Sequence, residues 1–237
     1  LVFAGDYWDA EVDQHTEGLD AVVSKLRADV EMKAEVQHLL RRFSAKAETL
    51  CHGDLHTGSV MCTDTETRVI DPEFAFYGPM GCDIGMLTAI YLMAYLSQPA
   101  HRGAELDDYQ AWLLDVIAET WNAFEAEMTA LWQSERKGIL YPEKLFEGQG
   151  QSSDTALSDL LGDVREDALG FCGIEMHRRR LSLALIAEFE SIEDTRQRAP
   201  REARILMMGR DLILGRADLS VSGLVEMARR YNSEDVL

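Results

Sequence analysis

A mainly helical fold carrying one small β-hairpin is what this sequence predicts, on three observations. Apolar residues recur at helical spacing over most of the chain. Two short apolar runs, Val60-Met61-Cys62 and Val69-Ile70, are joined by turn-forming Asp64-Thr65-Glu66-Thr67. Residues 133–153 hold Gly138, Pro142, Gly148 and Gly150 and break the periodicity, which marks a loop excursion.

The elements follow in order. Val22, Val23, Leu26, Val30, Val36, Leu39, Leu40 and Phe43 lie on one face of a helix spanning Leu19 to Phe43. The hairpin comes next. The apolar stretch from Ile84 to Leu96 reads as a buried helix, with Asp83 as its N-cap and Pro99 beyond its end. Tyr109, Trp112, Leu113, Val116, Ile117, Trp121, Phe124 and Met128 predict a further long helix. After the excursion, helical patterning resumes near Thr155 and runs through Cys172 to Ser191, then over Arg201 to Leu214 and Ser220 to Tyr231.

Composition narrows the function classes. With 237 residues and 46% hydrophobic content the chain can bury a sizeable core. No apolar run approaches the roughly 20 residues that span a bilayer, and no secretory signal is evident, so a cytoplasmic protein without membrane partners is expected. A net charge of -19 argues against nucleic acid, whose phosphates demand a basic face. Cys51, Cys62, Cys82 and Cys172 lack metal-ligand spacing and read as reduced, structural thiols.

The chemistry is concentrated in His52-Gly53-Asp54-Leu55-His56-Thr57-Gly58-Ser59 and, seventeen residues after Asp54, Asp71-Pro72-Glu73. Kinases use a catalytic-loop Asp, a metal-binding residue five positions on and a second metal-binding Asp after the next hairpin. Asp54, Ser59 and Asp71 occupy those places. Asp54 would accept or orient the substrate hydroxyl proton. Asp71, with Glu73 two residues on, would bind Mg²⁺ bridging the phosphates of ATP, since a hard cation takes carboxylate oxygens. Ser59 stands where many kinases carry Asn and is a weaker ligand. His52 and His56 are read as hydrogen-bonded braces, and Gly53 and Gly58 as positions where a Cβ would hinder the backbone.

Arg178, Arg179 and Arg180 form a basic run in an acidic chain. It is either solvated or turned inward, so that one or two guanidinium groups offset phosphoryl charge or hold a substrate hydroxyl. Asp83 either braces the catalytic loop or caps its helix, and capping is the simpler expectation. Nothing before Asp54 resembles a glycine-rich phosphate loop or a nucleotide lysine. The fold expected for residues 1–237 is therefore the C-terminal, catalytic and substrate lobe of a protein-kinase-like α+β fold. Its N-terminal nucleotide lobe is absent and expected in cis or as a separate chain.

At these residues the sequence resembles the methylthioribose kinases, within the protein-kinase-like group that includes aminoglycoside and choline kinases. The resemblance rests on the 52–59 loop, on Asp71-Pro72-Glu73-Phe74-Ala75-Phe76-Tyr77-Gly78-Pro79-Met80-Gly81, and on Met176-His177-Arg178-Arg179. Ser59 and the Asp-Pro-Glu form set it apart from aminoglycoside and choline kinases. The resemblance implies ATP-dependent phosphorylation of the 1-hydroxyl of 5-methylthioribose in methionine salvage, by a homodimer. It makes Asp54 catalytic, Asp71 and Glu73 the Mg-nucleotide ligands, and Arg178 and Arg179 the substrate arginines. His177, where an aliphatic residue is expected, and the 133–153 excursion depart from the pattern. The competing readings are a kinase of another small hydroxylated molecule, for which the acidic charge favours a cationic aminoglycoside, and a non-catalytic split-kinase subunit.

Overall fold

The computed structural model describes residues 5–7, 15–182 and 185–233. Eight helices and four short strands are present among them: α1 (Asp20–Ala28), α2 (Val30–Ala45), β1 (Thr49–Cys51), β2 (Val60–Cys62), β3 (Thr67–Val69), β4 (Phe76–Gly78), α3 (Gly81–Ser97), α4 (Leu106–Ser134), α5 (Asp154–Leu181), α6 (Ala187–Glu190), α7 (Thr195–Gly215) and α8 (Val221–Ser233). The predicted hairpin is β2–β3, with Val60 opposite Val69. A second antiparallel pair, β1–β4, sets Leu50 opposite Tyr77.

Helix α3 is apolar on nearly every face because it is buried on nearly every face, and α5 packs along it before passing against α7. Leu92, Met93, Trp121 and Phe189 centre one apolar cluster among α3, α4, α5 and α6. Val22, Leu26, Leu39 and Phe171 centre a second between α1, α2 and α5. Buried Asp167 ties α2 to α5 by accepting from Arg42 Nη1 and Lys46 Nζ, each at 2.6 Å.

Several boundaries differ from the periodicity. The first helix is two, because Asp29 leaves the helical region and its carboxylate accepts from Met32 N at 2.9 Å, capping α2. Helix α5 ends at Leu181 rather than continuing to Ser191, with its three arginines in the last turn, where cations complement the helix dipole. Helix α7 starts at Thr195, ahead of Pro200, capped by Asp194. The excursion holds two 3-10 turns around Ser153, whose hydroxyl accepts from Trp132 Nε1 at 2.9 Å and donates to Glu147 Oε1 at 2.6 Å.

Helices α5 and α7 cross so closely that a Cβ on Gly173 would stand 2.4 Å from the Gly209 carbonyl oxygen. His177 fills the same crossing. The Leu206 carbonyl can only accept, so Nε2 of His177 donates to it at 2.7 Å, and Nδ1 accepts from the Tyr7 hydroxyl at 2.9 Å. Both partners suit a neutral ring, and burial lowers its pKa to about 4.

Because the folded pKa lies below the ordinary 6.5, this contribution to stability is complete above pH 6.5 and is lost as pH falls towards 4. Urea unfolding across that range should show stability dropping by about 1.4 kcal/mol per pH unit, to a total of about 3 kcal/mol. The slope between pH 6.5 and 5 should flatten in His177→Gln.

Candidate active site

Strand β1 ends at buried Cys51 and delivers the chain into the 52–59 loop. Asp83, in the first turn of α3, accepts from the backbone amides of His52 at 2.6 Å and Gly53 at 3.0 Å. Asp83 is therefore the brace of the loop, and α3 begins two residues before it with no side-chain cap. The expectation of a cap is corrected. A carboxylate on two amides satisfies donors that the loop would otherwise leave unpaired, and it roots the loop in the central helix.

The segment bearing the acidic pair lies directly on this loop. Gly53 has φ +87°, and a Cβ there would stand 2.2 Å from the Phe74 carbonyl oxygen. That contact requires glycine on both conformational and steric grounds. His52 Nε2 donates to the Ile70 carbonyl at 2.8 Å, which leaves Nδ1 to accept from Asp54 N at 3.4 Å. Ile70 N donates to the Ser59 carbonyl at 2.9 Å. Ser59 is buried, with its hydroxyl donated to the Asp54 carbonyl at 3.3 Å. His56 Nδ1 accepts from Gly58 N at 3.0 Å, while its Nε2 lies 3.6 Å from Asp54 Oδ2.

Two of the three arginines turn towards the loop. Asp54 Oδ1 receives Arg179 Nη2 at 3.1 Å and Arg178 Nη2 at 3.5 Å, and the Asp54 side chain remains 31% exposed. Arg180 points the other way, fully buried against Glu202 at 2.7 Å and the Phe189 ring. Between the first two and the core stands Glu175, which the motif reading missed. Burial pushes its carboxyl up, but hydrogen bonds and charge from Arg178 and Arg179 outweigh this and hold it below the usual carboxylate range. The available signal was its spacing, three and four residues before the two arginines on one helix face.

Asp71 adopts φ +66°, uncommon for a residue with a Cβ, and both Asp71 and Glu73 are exposed. Among the described residues neither side chain makes a hydrogen bond or ion pair, and no group of three or more His, Cys, Asp or Glu is gathered as a metal cage. Such a donor set fits Mg²⁺, which binds through one or two carboxylates, water and substrate phosphates rather than through an all-protein cage. The structure thus brings Asp54, His56, Arg178 and Arg179 together. It joins Asp71 and Glu73 to them through the backbone contacts of Ile70 and Phe74.

Comparison with known proteins gives this site a context. The phosphotransferase enzyme family matches residues 3–119, which include Asp54, Asp71, Glu73 and Asp83. A methylthioribose kinase of Escherichia coli O45:K1 (strain S88 / ExPEC) is 41% identical over 217 residues, covering 90% of this chain and 52% of the relative. The chain is homologous to the methylthioribose kinases. Methylthioribose kinase 1 of Oryza sativa subsp. japonica is 36% identical, covering 95% of this chain and 53% of the relative. The methylthioribose kinase of Exiguobacterium sibiricum is 37% identical over 92% of this chain and 52% of its own length. The chain spans about half the length of these kinases. No helix among the described residues is long and apolar enough to cross a membrane.

Two substitutions test this geometry. Gly53→Ala should displace the 71–74 segment and lower stability in urea by about 1–3 kcal/mol, the usual cost of forcing extra atoms into a packed contact. Asp83→Ala should leave the His52 and Gly53 amides without their acceptor, and should speed their hydrogen exchange relative to amides in the middle of α5.

Proposed function

We propose that this chain provides the catalytic and substrate-side part of an ATP-dependent kinase acting on the 1-hydroxyl of 5-methylthioribose. The observation that carries this reading is the half-exposed Asp54 carboxylate, braced through its loop by Asp83 and flanked on one oxygen by Arg178 and Arg179. Homology to methylthioribose kinases supplies the substrate.

Asp54 orients the attacking hydroxyl and accepts its proton as the oxygen bonds to the γ-phosphorus of ATP. The bond from that phosphorus to the β–γ bridging oxygen breaks, and ADP leaves with the electron pair. Arg178 and Arg179 place positive charge beside the reacting oxygens, where negative charge is redistributed in the transition state. Asp71 and Glu73 would hold magnesium, which when bound would offset the charge of the transferring group. Ser59 supports the Asp54 backbone.

Leu50, Met61, Val69, Phe74 and Tyr77 are large apolar side chains left exposed around the two strand pairs. On this reading their face receives a nucleotide-binding segment, in cis or as a separate chain, consistent with relatives about twice as long. The same reading places the enzyme in the cytoplasm, in methionine salvage, as a homodimer. The net charge of -19 favours one rival, a kinase for a cationic aminoglycoside.

ADP release should be measured with Mg·ATP and either 5-methylthioribose or an aminoglycoside, for the chain alone and mixed with a nucleotide-binding portion of a relative. Turnover confined to methylthioribose is expected, and turnover confined to the aminoglycoside would select the rival. In the active form, Asp54→Ala should lower kcat by at least about 1,000-fold with nucleotide affinity unchanged. Asp71→Ala should weaken Mg·ATP binding, measured by calorimetry, by about tenfold or more.

A further inference from the structure

Glu175 makes contacts that a purely structural ion pair does not need. Its side chain is 2% exposed and both of its oxygens are engaged. Oε2 accepts from Arg178 Nε at 2.7 Å, and Oε1 accepts from Arg178 Nη2 at 2.8 Å and from Arg179 Nε at 2.6 Å. The Nε–H groups of both guanidinium planes are thereby fixed. Each arginine then presents Nη2 to Asp54, and both meet the same oxygen, Oδ1. Oδ2 keeps only the distant His56 ring, 3.6 Å away, among the described residues.

Arginine and carboxylate favour a bidentate fork, with two parallel N–H···O bonds. An unrestrained Arg179 beside Asp54 would take up that fork and cover both oxygens. Glu175 already holds Nε, so the side-on fork through Nε and Nη2 cannot form on Asp54, and Arg179 meets it through Nη2 alone. A buried carboxylate is costly unless it is paired, and here its pairing directs two cations towards a solvent-facing neighbour instead of closing the charges off within the core. Surface pairs at the same helical spacing contribute little and impose little direction.

We propose that Glu175 is a positioning residue for phosphoryl transfer. It restrains Arg178 and Arg179 to single contacts on Asp54 Oδ1, keeps Oδ2 open to the substrate hydroxyl, and aims both guanidinium groups at the reacting oxygens. This rests on the assignment of Asp54 as proton acceptor.

The test follows the arginine Nε–H signals in ¹⁵N spectra of the full chain, assigned with Arg178→Lys and Arg179→Lys, together with methylthioribose turnover of the chain mixed with the nucleotide-binding portion of a relative. In the wild-type chain both signals should exchange slowly with water. In Glu175→Gln both should shift and exchange at least tenfold faster, whereas Asp54→Asn should leave their exchange slow. Turnover of Glu175→Gln should show kcat lowered at least 30-fold with KM for ATP within twofold, and Glu175→Asp should recover part of the loss. If Glu175→Gln does not fold, Glu175→Asp carries both readouts, with intermediate changes expected. Unmoved Nε–H signals overturn the proposal, and so do moved signals with kcat unchanged. A wild-type chain that, mixed with the nucleotide-binding portion of a relative, does not phosphorylate methylthioribose while its Nε–H signals are protected defeats the kinase reading itself, and the catalytic half of this proposal with it.

Discussion

The carboxylate of Asp83 on the His52 and Gly53 amides is the constraint from which the geometry of the site descends. Helix α3 is the most buried helix of the fold, so a side chain in its first turn has little freedom to move. By holding two consecutive amides it fixes the start of the 52–59 loop and the left-handed Gly53. The approach of Phe74 to Gly53 and the bond from His52 to Ile70 then follow, and they carry Asp71 and Glu73 with them. One carboxylate on two amides thus relates the two acidic motifs, seventeen residues apart, to one rigid element.

The second anchor is the C-terminal turn of α5. Packed between α3 and α7, this helix delivers Arg178 and Arg179 to the loop from the opposite side, and Glu175 beneath them keeps both extended. The close crossing at Gly173 and Gly209, filled by neutral His177, sets how near α5 stands to α7. The Asp167 cluster holds α2 against the same helix. The candidate site is accordingly assembled where the loop braced by the first turn of α3 meets the last turn of α5.

Much of this was legible from residue order. Helix α4 and the β2–β3 hairpin follow from local periodicity and turn residues, and the approach of the 52–59 loop to the segment bearing Asp71 from their spacing. What escaped depends on partners distant in the chain. The strands β1 and β4 are three residues each and pair across 27 positions, so neither carries a periodic signal. Asp29 interrupts an otherwise continuous apolar stripe by capping, an outcome decided by competition between side chain and backbone. Asp83 was visible as an acidic residue at a helix start, where capping is the local expectation, but the amides that donate to it lie about thirty residues earlier. Three adjacent arginines look alike in sequence, yet helical geometry sends Arg178 and Arg179 to the loop and Arg180 into the core. Glu175 had the right spacing, but its burial could not be read from it.

The most direct measurement is a crystal structure of the chain with 5-methylthioribose bound. The sugar should lie against the loop, with its 1-hydroxyl within hydrogen-bond distance of Asp54 Oδ2 and with Arg178 and Arg179 still held by Glu175. A sugar bound elsewhere, or bound with Asp54 closed into a bidentate pair with either arginine, would contradict it.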